Sequence, residues 1–167
     1  MAEGTKIEWA TATRNPWPGC SDAILRDGTT SPACRPCYAK RAAARMALNP
    51  TLPRYKGLAV FTPDGPDWTG KQTFVQSEID KLRGWTKPHR VFIESMGDIA
   101  HESTPVEWFY VLWQAMADAL IVGHWYYLLT KRVGRLGAFL ATVRGIVGED
   151  AYWRVMERTG VMTTTEN

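Results

Sequence analysis

Apolar and polar positions alternate along this chain with two different periods, and the switches between them mark out its elements. Residues 90–96 (RVFIESM) form a compact apolar run rich in β-formers between Pro88 and Gly97, and residues 124–130 (HWYYLLT) form a second. Runs of this length with continuous rather than alternating hydrophobicity predict strands buried on both faces. Between them, Thr104-Pro105 opens a segment in which Val106, Phe109, Tyr110, Leu112, Trp113, Met116 and Leu120 recur at spacings of three and four. That is the stripe of a helix with proline in its first turn.

The rest of the chain follows the same order. Residues 7–12 predict a strand that leads through a Pro- and Gly-rich turn to Cys20, and residues 21–36 are mostly turn formers. Residues 38–48 (YAKRAAARMAL) are strong helix formers stopped by Asn49-Pro50. A short strand at 58–62, helices at 72–82, 132–143 and 150–158, and a strand at 161–165 complete the reading. Trp85, Trp108, Trp113 and Trp125 fall in these elements and are read as packing. Strands separated by helices predict a parallel sheet with crossover connections, a single α/β domain over residues 1–167 carrying a cysteine-bearing loop at 14–38. Ligands of such folds gather at the C-terminal strand ends. Cys20, Asp98, His101, Lys131, Arg132, Glu166 and Asn167 all fall just after predicted strands.

Composition narrows the classes. The 167 residues are 45% hydrophobic and 22% charged, enough apolar side chains for one core. A complete eight-stranded barrel of roughly 250 residues does not fit this length. No apolar stretch is long enough for a membrane span and no secretory leader is evident, so a cytoplasmic protein without membrane association is expected. The net charge of +3 permits an anionic partner without requiring one.

The chemistry concentrates in Cys20, Cys34 and Cys37, three thiols within 18 residues. Cys34-Arg35-Pro36-Cys37 puts two of them on a turn of chelating length, and the helix that follows favours thiolates at its N-terminus. Three thiolates can hold three irons of a 4Fe-4S cluster and leave the fourth open to a small ligand. Structural zinc, closed by His101 or Asp98, and unliganded thiols are the alternatives.

Five segments, KIEWATATRNPWPGC, SPACRPCYA, RVFIESMGDIAHESTP, YYLLTKRVGRL and TTTEN, resemble successive signatures of the phage-encoded three-cysteine proteins, a group similar to radical S-adenosylmethionine (radical SAM) enzymes. The resemblance implies a partial (incomplete) parallel β/α barrel of radical-SAM-like type, located in the host cytosol. It implies Cys20, Cys34 and Cys37 as ligands of the cluster, with S-adenosylmethionine as cosubstrate. It places Tyr38, Ser95, Thr130, Arg132, Glu166 and Asn167 in cofactor binding and Asp98, His101 and Lys131 in catalysis. Three features depart from the family pattern: thirteen residues separate Cys20 from Cys34, Arg14 stands where a tryptophan is usual, and the chain stops at Asn167 where family members continue.

The bland readings of these residues are a helix cap for Asp98, a surface imidazole for His101 and solvated charges for Lys131 and Arg132. Arg35, Lys40, Arg41 and Arg45, with Arg54, Tyr55 and Lys56, give the cysteine region a basic face suited either to nucleic-acid phosphate or simply to solvent. His89 and His124 show no partner pattern. The expected strands are too few to close a barrel, so a homodimer or a partner chain is expected to complete the sheet. A non-catalytic zinc- or cluster-stabilised phage module that binds a host protein or nucleic acid is the alternative to an enzyme of unknown substrate.

Overall fold

In the computed structural model, which describes residue 5, residues 7–25 and residues 27–163, the apolar runs become the centre of a four-stranded parallel sheet. Its strands are β1 (Ala12–Arg14), β4 (Arg90–Ile93), β5 (Trp125–Leu129) and β6 (Thr159–Met162), in the order β1-β4-β5-β6. Ala12 is paired with Val91, Val91 with Tyr126 and Tyr126 with Thr159, so one register runs across the sheet. The fold is mixed α/β with a parallel sheet, and no barrel closure is present among the described residues.

Alternation along the central strands separates two faces. Val91, Ile93, Tyr126 and Leu128 join the main core with Ile79 and Leu82 of α2 (Gln76–Gly84) and Phe109, Leu112, Trp113 and Met116 of α3 (Val106–Asp118). Leu136, Phe139 and Val143 of α4 (Val133–Val147) and Tyr152 and Val155 of α5 (Glu149–Met156) complete that layer. On the opposite face, Trp9 lies 4.9 Å from the ring of Phe92 and 5.4 Å from that of Tyr127.

A second, smaller core lies between β1 and β4 in the chain. There α1 (Tyr38–Ala47) buries Ala39, Ala43 and Ala44 against Tyr55, Leu58 and Met96 and against the hairpin of β2 (Ala59–Thr62) and β3 (Gly65–Trp68). Small alanines let the helix approach closely.

Three expectations change. The segment at 58–62 is a strand, but it pairs antiparallel with β3 outside the main sheet. Its partner includes a proline and a glycine, and pattern reading passes over such strands. The first strand sits at 12–14 rather than 7–12, because Pro16 and Pro18 follow it directly and the pairing with β4 fixes its register. Trp125 is 44% exposed, under the Arg158 guanidinium, and Trp17, unassigned from sequence, is fully buried. The expected site residues Glu166 and Asn167 lie outside the described residues. No helix is long and apolar enough to cross a membrane among the described residues.

Candidate functional site

Parallel strands put all their C-terminal ends on one edge, and there a cavity of about 300 Å³ opens. Its walls come from the stretch after β1 and the start of α1, and from the ends of β4 and β5: Cys20, Cys34, Cys37, Tyr38, Ser95, Asp98, Thr130, Lys131 and Arg132 all line it. Apolar area is supplied by Trp68, Phe92 and Leu129. Every expected site residue within the described chain is here except His101, which stands behind the wall.

Backbone contacts explain how Cys20 arrives. The Gly19 N–H donates to the Met96 carbonyl at 3.0 Å, continuing the pairing of β1 with β4 past the strand ends. A Cβ on Gly19 would collide with the Lys71 carbonyl oxygen, and one on Gly97 would stand 2.7 Å from the Gly19 oxygen. Gly19 also has φ +114°, a left-handed conformation that favours glycine. The Asn15 side-chain oxygen accepts from the Met96 N–H and the Ser95 hydroxyl. Gln72 donates to the carbonyls of Trp17, Gly19 and Asp98 and accepts from Ser103 and Thr104. These three residues fasten the first loop to the second.

Arg132 fastens both to the third. Its guanidinium donates to Asp98 at 3.0 Å, to Glu102 at 2.6 Å, and to the carbonyl and hydroxyl of Ser21, and it stands 3.9 Å from the Cys20 sulfur. Asp98 in turn accepts from the Thr130 hydroxyl and from the Ala100 and Lys131 N–H groups. Its carboxylate is saturated, which suits it to hold loops in place rather than to exchange a proton. Placing a cation at the N-terminus of α4 opposes the helix dipole, and the two carboxylates offset that cost.

His101 reaches the cavity only through Ser21: its Nε2 is 2.9 Å from the Ser21 hydroxyl and its Nδ1 is 2.8 Å from that of Ser103. Burial, with Arg132 close by, pushes the imidazole below its usual pKa, against the Glu102 and Asp98 carboxylates. Burial also pushes the Cys20 thiol up to about 12, with Arg132 opposing and Asp98 adding to the rise. A metal that binds Cys20 must therefore displace a proton. Cys34 accepts from the Ala23 N–H at 3.4 Å. Among the described residues no three His, Cys, Asp or Glu side chains are gathered to hold a metal ion.

Sequence reasoning missed Glu94. It follows the last residue of β4, lines the cavity and has φ 66°, the one non-glycine left-handed residue among those described. One carboxylate oxygen accepts from the Trp17 N–H at 2.9 Å, and the other is buried without a hydrogen-bond partner among the described residues. Burial, with the Asp98 and Glu78 charges adding, pushes its pKa up to about 8 against the Trp17 hydrogen bond. The signal was a lone acid inside an apolar run, assigned with its neighbours to the core. Ser21, adjacent to Cys20, was also missed. Of the expected basic face, Lys40 is 6% exposed and paired with Asp22 and Asp67, and Tyr55 is 2% exposed. Lys40 turns inward on the side of α1 that packs on the hairpin, and Tyr55, on the short turn after the helix, packs against the same side.

Two outcomes test this site. Folded Glu94 keeps its proton up to about pH 8 while the unfolded chain releases it near 4.5, so the folded state binds more protons between them and stability falls as pH rises through that window. Glu94→Gln removes the titration, and its unfolding free energy relative to the parent must rise from about pH 5 to about pH 8.5 in urea titrations; a constant difference contradicts the assignment. Arg132→Met leaves Asp98 buried and unpaired, with an expected loss of about 3–5 kcal/mol, and adding Asp98→Leu recovers part of it. Additive losses in that cycle would show that the two residues do not act as a pair.

No curated protein and no solved structure matches this chain. A family model matches residues 4–166, nearly the full length and every element of the site within it, and the chain therefore belongs to the family described as a protein of unknown function, DUF5131.

Proposed function

We propose that this protein is a radical-SAM-like iron-sulfur enzyme, with Cys20, Cys34 and Cys37 as the ligands of a 4Fe-4S cluster. The observation that carries the reading is that all three cysteines line one cavity at the C-terminal ends of parallel strands, with a buried carboxylate across it. Three thiols on one cavity match the number of protein ligands taken by a cluster with one open iron. A single tetrahedral ion draws sulfur ligands to within about 4 Å of one another. A cluster, in which each iron takes its own thiolate, accepts a wider spread and leaves one iron for an outside ligand.

When bound, such a cluster supplies one electron for the reductive cleavage of S-adenosylmethionine. The chain's own residues bind and orient. The open oxygen of Glu94 can accept from an ammonium group, and Lys131 places positive charge on the wall suited to a carboxylate. Phe92, Trp68 and Leu129 exclude water from the apolar side. Arg132 and Asp98 keep the Cys20 loop against the ends of β4 and β5, and Tyr38, donating to the Ser95 carbonyl at 2.8 Å, holds the start of α1 to the same edge. The reading includes a partial barrel whose sheet is completed by a second copy or another chain, since β1 and β6 stand at the sheet edges and Val161 of β6 is 43% exposed.

Purified without oxygen, the protein is expected to contain about four iron and four sulfide per chain with a broad visible absorption. Cys37→Ser should lose most of the iron while keeping its far-ultraviolet circular dichroism. Stoichiometric zinc in a colourless protein, or iron retained by all three single cysteine variants, would overturn the proposal.

A further inference from the structure

One face of α1 is left without a partner. Tyr38, Arg41, Arg45 and Leu48 follow one another at steps of three and four, and all are exposed, Tyr38 by 60% and Leu48 by 75%. The opposite face is fully used, by Ala39, Ala43 and Ala44 in the small core. Arg35, on the turn between Cys34 and Cys37, continues the line to the cavity mouth and is exposed as well. Among the described residues no acidic side chain pairs with Arg35, Arg41 or Arg45.

That absence is informative because acids are close at hand. Asp22 and Asp67 reach α1, and both are taken by Lys40, 2.7 and 3.3 Å away on the buried side of the same helix. The outer arginines thus stand in a line of unneutralised positive charge, Arg41 and Arg45 one helical turn, about 6 Å, apart. Three guanidiniums aligned in this way repel one another, and a polyanion relieves that repulsion.

The line ends at an aromatic ring. Tyr38 lines the cavity mouth, and its hydroxyl is tied to the Ser95 carbonyl at 2.8 Å, so the exposed ring is presented in a fixed orientation. A fixed ring at the end of a basic track is the arrangement that binds unpaired bases by stacking while the track follows their phosphates. A cavity of about 300 Å³ does not admit a duplex.

From these observations we propose that the outer face of α1 is a docking track for single-stranded nucleic acid, which leads an unpaired strand to the cavity mouth. The proposal deepens the enzymatic reading above by naming its substrate class and rests on it for the chemistry; binding itself requires only the track. Fluorescence anisotropy of a labelled single-stranded 12-mer with the purified protein tests it, over a range of salt concentrations. The expected result is binding that weakens as salt rises. The double variant Arg41→Ala/Arg45→Ala should bind at least about 10-fold more weakly, with a slope of log affinity against log salt lower by about two. Tyr38→Ala should weaken binding without changing that slope. No binding at low salt, an unchanged slope in the double variant, or equal affinity for polyglutamate or for anionic vesicles would overturn the proposal. Iron and sulfide contents measured on the same preparation keep the two readings distinct: a cluster-containing protein that ignores the oligonucleotide refutes the track alone.

Discussion

The buried ion pair of Arg132 with Asp98 is the joint on which the cavity depends. Each side chain is less than one-tenth exposed; Asp98 also accepts from Thr130 and Lys131 beside Arg132, and Arg132 also donates to Ser21 beside Cys20. Taking two charges out of water costs several kcal/mol apiece, and a pair of that kind is no bargain for stability alone. Here every donor and acceptor around it is used, so the pair fixes geometry. It binds the stretch after β1 to the ends of β4 and β5, three segments whose cysteine, serine and threonine side chains must meet for the cavity to have walls. Gln72 and Asn15 repeat the same task with neutral hydrogen bonds, which shows that loop position at this edge is over-determined.

Against that rigid frame, Glu94 is the costly element. A left-handed backbone at a non-glycine residue and a carboxyl group with one buried oxygen unpartnered among the described residues each disfavour the fold. Structures retain such features when the surrounding contacts enforce them. An ammonium group accepted by the open oxygen would both satisfy it and favour its charged form. His101 and Asp98, by contrast, already have partners within the protein, His101 in Ser21 and Ser103 and Asp98 in Arg132, Thr130 and the backbone of Ala100 and Lys131.

Much of this was legible in the sequence because the apolar runs are unambiguous. RVFIESM and HWYYLLT could only be central strands, and parallel strands separated by helices put Asp98, Thr130, Lys131 and Arg132 on one edge with Cys20. What was hidden had tertiary causes. The β2–β3 hairpin carries a proline, a glycine and an aspartate where strand propensity is low, and only its packing on α1 makes it a strand. Lys40 looked like its neighbours Arg41 and Arg45, and which of them turns inward was decided by where Asp22 and Asp67 stand. Glu94 was absorbed into the apolar run that surrounds it, since periodicity describes faces and says nothing of a strained backbone at a strand end.

In the proposed function this edge holds a cluster with one iron open to S-adenosylmethionine. Electron paramagnetic resonance of the anaerobically prepared, dithionite-reduced protein tests it most directly, with spectra recorded before and after adding S-adenosylmethionine. The account predicts a cluster signal whose g values shift on addition, a shift that Glu94→Gln weakens while leaving the signal itself intact. A cluster signal that S-adenosylmethionine leaves unchanged, or a reduced protein with no cluster signal at all, would contradict it.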